Sequence, residues 1–295
     1  MKPGRQPRRQ LLVAGAAALL GAGCSVGTDR DHDHAEAPAS VALPRPPRVA
    51  WVFSSGGPRG FVHVGVIKAL TELGCQPDLI VGASVGALVG VLCGAGLPAA
   101  RIEQLALELQ PWQLARLNLG GSERLSGSAI ADLVREQVAS PLQRLARPVA
   151  CVVQRLPDGE VLAFNSGDAG LAVQASTAIV GQFAPVRIRG RLYADADLRM
   201  PLPVRVARAL GASRVLAVDA SAHEHKAPAG AERYREGDLR KRALTRPDAE
   251  LADVLLHPDF GYWVSMSREF RERCIEAGYR DAMQAAAALR ALHAA

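Results

Sequence analysis

The chain has 295 residues, 49% of them hydrophobic and 22% charged, with 28 Gly and 19 Pro. That length suits one large α/β domain with a substantial core, and the composition excludes a mostly disordered or collagen-like polypeptide. The formal net charge is +6, but Lys2, Arg5, Arg8 and Arg9 precede position 25 with no acid beside them; the remaining 31 basic residues face 29 acidic ones, which gives no argument for a nucleic-acid surface.

Residues 1–24 read as an export signal. A basic stretch ending at Arg9 leads into an uncharged run from Leu11 to Gly23, too short and too rich in Ala and Gly to span a bilayer well. It ends Leu20-Gly21-Ala22-Gly23-Cys24, which resembles a bacterial lipobox with its leucine one place early. Cys24 is therefore the expected lipidation site, with ordinary cleavage as the alternative. Arg8-Arg9 resembles a twin-arginine export pair, and Ser25 resembles the sorting residue of lipoproteins in the outer membrane facing the periplasm. Residues 25–48, dominated by Asp, His, Ala and Pro, are expected to form a flexible tether. Their Asp31-His32-Asp33-His34 offers weak metal ligands, with a solvated linker as the expected reading because a flexible segment lacks a preorganised geometry.

The folded domain is expected over 49–295. Val49–Phe53 is a continuous apolar run, the pattern of a parallel strand buried on both faces. Helical spacing follows in Val62, Val66, Ala69, Leu70 and Leu73 and stops at Gly74. A second apolar strand, Leu79-Ile80-Val81, leads through Gly82-Ala83-Ser84-Val85-Gly86 into an apolar helix reaching about Leu92. This βαβα order implies an α/β fold with a mainly parallel central sheet flanked by helices.

Gly82-x-Ser84-x-Gly86 between strand and helix has the context of a nucleophile elbow, in which flanking glycines let strand and helix approach. The bland alternative is a tight turn whose serine caps the helix. Ser54-Ser55-Gly56-Gly57-Pro58-Arg59-Gly60 follows the first strand, at the end where such sheets place ligands. Gly56 and Gly57 can turn amides towards a developing oxyanion, whereas Pro58 has none to give. A Walker loop is excluded, because Gly-Lys-Ser/Thr is absent. Cys75, Cys93, Cys151 and Cys274 are widely spaced in apolar surroundings, so no framework of disulfides is expected.

Ser55-Gly56-Gly57-Pro58-Arg59-Gly60 followed by Gly82-Ala83-Ser84-Val85-Gly86 resembles the bacterial patatin-like phospholipases. Asp195-Ala196-Asp197 stands where that family has Asp-Gly-Gly or Asp-Gly-Ala, and Ala175-Ser176-Thr177-Ala178-Ile179 through Val186 is similar to the run upstream of it. The resemblance implies a patatin-like fold and a serine esterase or lipid acyl hydrolase without metal or organic cofactor, acting on phospholipids or related fatty-acyl esters. It implies Ser84 as nucleophile and Asp195 as base, with Gly56 and Gly57 as oxyanion donors, Arg59 and Gly60 supporting their loop, and Gly82 and Gly86 shaping the elbow. Such a base must be partly buried, since an exposed carboxylate is too weakly basic. No histidine is required; His63 is expected to pack in the core, and His257 is the remaining triad candidate. The departure at Ala196 and Asp197 leaves an alternative, a catalytically impaired lipoprotein that binds lipid or an envelope partner. A positive φ at position 196 would strain alanine, and Asp197 would raise the base's pKa, displace it, or face solvent.

Between 99 and 150, helices are expected to flank the site, with Ser128 as a helix cap. Trp112, Leu114, Leu117 and Leu119 are either an apolar lid or core. Residues 221–250 are charge-rich and read as a surface excursion, and Ser267–Ala295 as a docking helix and tail.

Overall fold

The computed structural model describes residues 30–118 and 123–294. Cys24, Ser25, the export signal and Leu119 lie outside them. The expected strands and helices form close to their predicted bounds: β1 is Val49–Phe53, α1 Phe61–Glu72, β2 Leu79–Ala83 and α2 Val85–Gly94. Every residue of β1 and β2 is buried, as unbroken apolar runs require.

Downstream come α3 (Ala99–Glu108), a short hairpin of β3 (Arg116–Leu117) and β4 (Leu125–Ser126), and α4 (Ser128–Gln137). Then follow β5 (Val149–Leu156), β6 (Val161–Phe164), α5 (Ala169–Ser176), β7 (Val186–Ile188), β8 (Arg191–Asp195) and α6 (Val204–Ala209). The chain closes with β9 (Arg214–Val218), α7 (Arg235–Ala249), β10 (Val254–Leu256), α8 (Arg268–Gln284) and α9 (Ala286–His293).

The main sheet runs β10-β9-β1-β2-β5-β8-β7, with β6 also paired to β5. β10, β9, β1, β2 and β5 are mutually parallel; β6, β7 and β8 form an antiparallel margin. Register decides where that margin ends. Ala83 lies opposite Val152 of β5, and Asp195 lies opposite Val153. The last residue of antiparallel β8 is thereby brought level with the carboxyl end of β2.

Three expectations are corrected. The segment read as a flexible tether is laid on the domain from residue 30 onward: the His32 amide donates to the Arg187 carbonyl at 3.0 Å, the Ala39 amide to Ser166 at 3.0 Å, and the Asn165 side chain bonds both backbone groups of Val41 at 2.8 Å. Backbone bonds to partners more than a hundred residues away leave no periodic signature in the segment itself. Ser128 caps nothing; it is the first residue of α4, and its hydroxyl accepts a 3.3 Å bond from Arg116. Residues 221–250 are not a bare excursion, since half of them form α7.

The C-terminal helices dock as expected. Ser267 caps α8 by accepting from the Phe270 amide at 3.2 Å. The Trp51 indole donates to His293 on α9 at 2.9 Å. The four described cysteines are free thiols.

Candidate active site

Three segments meet at the carboxyl end of β1 and β2. Ser84 follows β2 with φ 55° and ψ −124°, a strained conformation for a residue carrying a side chain. Close packing enforces it. A Cβ on Gly82 would lie 2.3 Å from the Gly86 carbonyl oxygen, and one on Gly86 would lie 2.3 Å from that of Phe53. Gly86→Ala is expected to cost about 3 kcal/mol or more, read as a lowered urea midpoint, because the clash is with backbone on both sides.

A residue from α5, far from the elbow in sequence, holds it in place. The Ser84 amide donates to Ser176 Oγ at 3.0 Å, and that hydroxyl donates to the Val152 carbonyl at 2.6 Å. Ser176 was visible in the sequence as part of the Ala175-Ser176-Thr177 run, but its role needed the contact between α5 and the elbow.

The glycine loop is held from two sides. The Ser55 amide donates to the Pro201 carbonyl at 2.8 Å, and the Ala220 amide, beyond β9, donates to Ser54 Oγ at 2.8 Å. Gly57 has φ 54°, which glycine adopts without penalty. A Cβ on Gly60 would strike the Val85 side chain at 2.3 Å, so the loop packs directly on the residue after Ser84. Arg59 lines the polar side of the site. His63 is fully buried beneath the loop; its Nε2 lies 2.9 Å from the Ser54 carbonyl, and burial pushes its pKa down to about 4, so it is neutral.

Asp195 ends β8 with 2% of its surface exposed. Its carboxyl accepts from the Asp197 amide at 2.8 Å and lines the polar cavity together with Ser84. Burial raises its pKa to about 7; the Asp197 charge adds to the rise, while the neighbouring Ser84 hydroxyl, the Asp197 amide and Lys241 oppose it. Ala196 is buried and does not have a positive φ, so the strain anticipated there is absent. His257 is not joined to this pair. Its Nε2 lies 3.0 Å from the Ser221 carbonyl, and its ring stacks on His223 with centroids 3.8 Å apart.

Ser84 sits where two cavities meet. One, of about 230 Å³, is apolar and runs between Phe61, Leu88, Ile102, Leu105, Leu133 and Phe183. Leu114 lines it too, whereas Trp112 and Leu117 are 74% and 68% exposed, so of the two readings offered for them core packing fails. The other, of about 260 Å³, is lined by Gly56, Gly57, Arg59, Asp195, Asp197, Asp238 and Lys241. Lys241 on α7 had no signal in the sequence that tied it to a site.

The family profile for patatin-like phospholipases matches residues 51–208, more than half of the chain and all three of these segments. The chain belongs to the patatin-like phospholipase family. An uncharacterized NTE family protein of Mycobacterium tuberculosis is 34% identical over 207 residues, covering 68% of this chain and 55% of the relative. Patatin-like phospholipase domain-containing protein 6 of Homo sapiens is 29% identical over 187 residues, 60% of this chain and 14% of that protein. The chain thus spans about half the length of the mycobacterial relatives and a small part of the human one. Among solved structures, VipD from Legionella pneumophila aligns with a TM-score of 0.46 at 14% identity, over 84% of this chain and 68% of that one.

The strained elbow gives a prediction separable from chemistry. Ser84→Gly is expected to raise stability by about 1–2 kcal/mol, because glycine carries no Cβ penalty at this φ and ψ. Ser84→Ala keeps the penalty and should gain little. Paired denaturant titrations of the two variants read the difference.

Proposed function

We propose that this chain is a serine-dependent carboxylic ester hydrolase acting on phospholipids or related fatty-acyl esters through a Ser84–Asp195 dyad. The observation that carries the reading is that Ser84 and buried Asp195 line one polar cavity at the point where it meets an apolar one. A fatty-acyl ester is divided in the same way, into a hydrocarbon chain and a polar alcohol.

Ser84 Oγ attacks the ester carbonyl carbon while its proton passes to the ionised Asp195 carboxylate. The carbonyl electrons move onto oxygen, where the amides of Gly56 and Gly57 receive the charge. The tetrahedral adduct collapses by breaking the bond to the alcohol, which takes the proton from Asp195 and leaves through the polar cavity. Water then attacks the acyl-Ser84 ester, again giving its proton to Asp195, and the fatty acid is released with Ser84 restored. Asp195 can serve both directions because its proton affinity lies near neutrality.

A fluorophosphonate probe tests the nucleophile directly. The full-length chain should be labelled at one residue, Ser84, and Ser84→Ala should remain unlabelled. A folded parent that neither takes the probe nor hydrolyses short or long acyl esters would refute the reading. The same proposal has the chain reach its lipid from an envelope membrane through lipidated Cys24, on the support of the lipobox-like Leu20–Cys24 alone. Among the described residues no helix is long and apolar enough to cross a membrane. Cys24→Ala should therefore shift the protein from the membrane fraction to the wash, and unchanged fractionation would count against the anchor.

A further inference from the structure

Asp197 occupies a position where the family's third motif ends in a small residue, and the structure shows what accompanies it. The Asp197 carboxylate is bound by both Ser55 Oγ and Lys241 Nζ, and Lys241 also donates to Ser55 Oγ at 2.8 Å. Three separate segments are joined at this point. Ser55 immediately precedes the oxyanion glycines, Asp197 lies two residues after Asp195, and Lys241 comes from α7, far along the chain.

α7 is fixed so as to deliver that ammonium. Asp238, Lys241, Thr245 and Asp248 recur at spacings of three and four and lie on one side of the helix. Asp238 accepts from the Tyr262 hydroxyl at 2.5 Å. Fully buried Asp248 accepts from the Arg205 backbone amide at 2.8 Å and from its guanidinium at 2.8 and 3.0 Å, tying α7 to α6. The face of this helix turned to the protein is its polar one, with Lys241 in the middle.

We propose that Asp197 and Lys241 are a matched positioning pair, in which Lys241 holds the Asp197 carboxylate so that the Asp197 amide stays on Asp195 and the Asp197 charge is offset beside the base. The inference rests on Asp195 being that base. Neither residue is a catalytic group, since each acts through Asp195 or the glycine loop. The groups facing the Asp195 carboxyl are the Ser84 hydroxyl, Asp197 on its own loop and Lys241 from α7; Arg59 and Asp238 complete the charged lining of the polar cavity. Lys241 favours the ionised form of Asp195, and the Asp197 charge disfavours it.

The test is the pH dependence of kcat/KM for the parent, Lys241→Met, Lys241→Arg, Asp197→Ala and the double variant, each first shown to be folded by circular dichroism. Lys241→Met leaves an unoffset carboxylate beside the base, so its acid limb should move to higher pH and its rate at pH 7 should fall about tenfold or more. Lys241→Arg, which keeps the charge, should recover most of the rate. Asp197→Ala should move the limb the other way. The double variant, lacking both opposed charges, should return towards the parental limb and recover most of the rate that Lys241→Met loses at pH 7. A Lys241→Met enzyme that loses only thermal stability, with its acid limb unmoved, overturns the inference, as does a double variant whose limb and rate stay with those of Lys241→Met. A parent whose hydrolysis does not depend on Ser84 would instead refute the dyad itself, so the two failures are distinguishable.

Discussion

Ser84→Ala and Asp195→Asn are each expected to lower kcat/KM for a p-nitrophenyl ester by about a thousandfold or more, the first by removing the nucleophile and the second by removing the proton acceptor. Their combined loss should be little larger than either alone, because two groups that act on one proton transfer are not additive. The parent's pH profile carries the same information. Asp195 must be ionised to accept the Ser84 proton, and burial raises its pKa to about 7. Activity should therefore rise through pH 7 and approach a plateau above it. In Asp195→Asn the residual rate should lack that limb.

The same burial has a consequence for stability, with the opposite pH dependence. A carboxyl whose pKa is raised on folding adds most to stability while protonated, below its unfolded value near 4, and that contribution is lost as pH rises through 7. Asp195→Asn should escape the loss, so at pH 8 it is expected to be more stable than the parent by up to roughly 4 kcal/mol. Thermal melts of both proteins at pH 5 and pH 8 measure it. An asparagine variant whose stability relative to the parent is the same at pH 8 as at pH 5 would show that Asp195 is not held in the buried environment described.

The second large effect concerns the acyl chain. The apolar cavity of about 230 Å³ begins at Ser84 and continues between α2, α3 and α4. Each methylene that enters it should contribute about 0.8 kcal/mol, so kcat/KM should rise about three- to fourfold per added carbon until the cavity is filled. A bulky ring placed midway, as in Leu133→Trp, should remove that dependence. Long-chain esters are expected to lose about a hundredfold or more while acetate and butyrate esters keep most of their rate. The measurement is kcat/KM along a p-nitrophenyl series from two to sixteen carbons. Equal losses at every length would mean that the substitution damages the elbow and that the cavity does not hold the chain.

Much of the site was legible because its motifs are local. Gly56, Gly57, Ser84 and Asp195 each sit at the end of a strand, and the unbroken apolar runs of β1 and β2 locate two of those ends without reference to anything distant. His63 and the docking of the C-terminal helices could be read for the same reason, since an apolar helical stripe predicts burial. The antiparallel margin was less accessible. That Asp195 arrives beside Ser84 depends on β8 pairing with β5 and stopping opposite Val153, a register set by contacts forty residues apart.

The class of the fold, the elbow and the glycine loop follow from short stretches of chain, because steric rules for turns and the burial of parallel strands act over a few residues. The remainder depends on contacts between segments far apart in the chain. The segment from residue 30 lies on the sheet edge and the loop beyond β6 through backbone bonds, which carry no side-chain pattern. α7 docks through Asp238, Lys241 and Asp248, and hydropathy scores a charged helix face as solvated whether it meets water or buried partners. Charges satisfied by distant countercharges leave no mark on local periodicity, and for that reason the helix that completes the site looked in the sequence like ordinary surface.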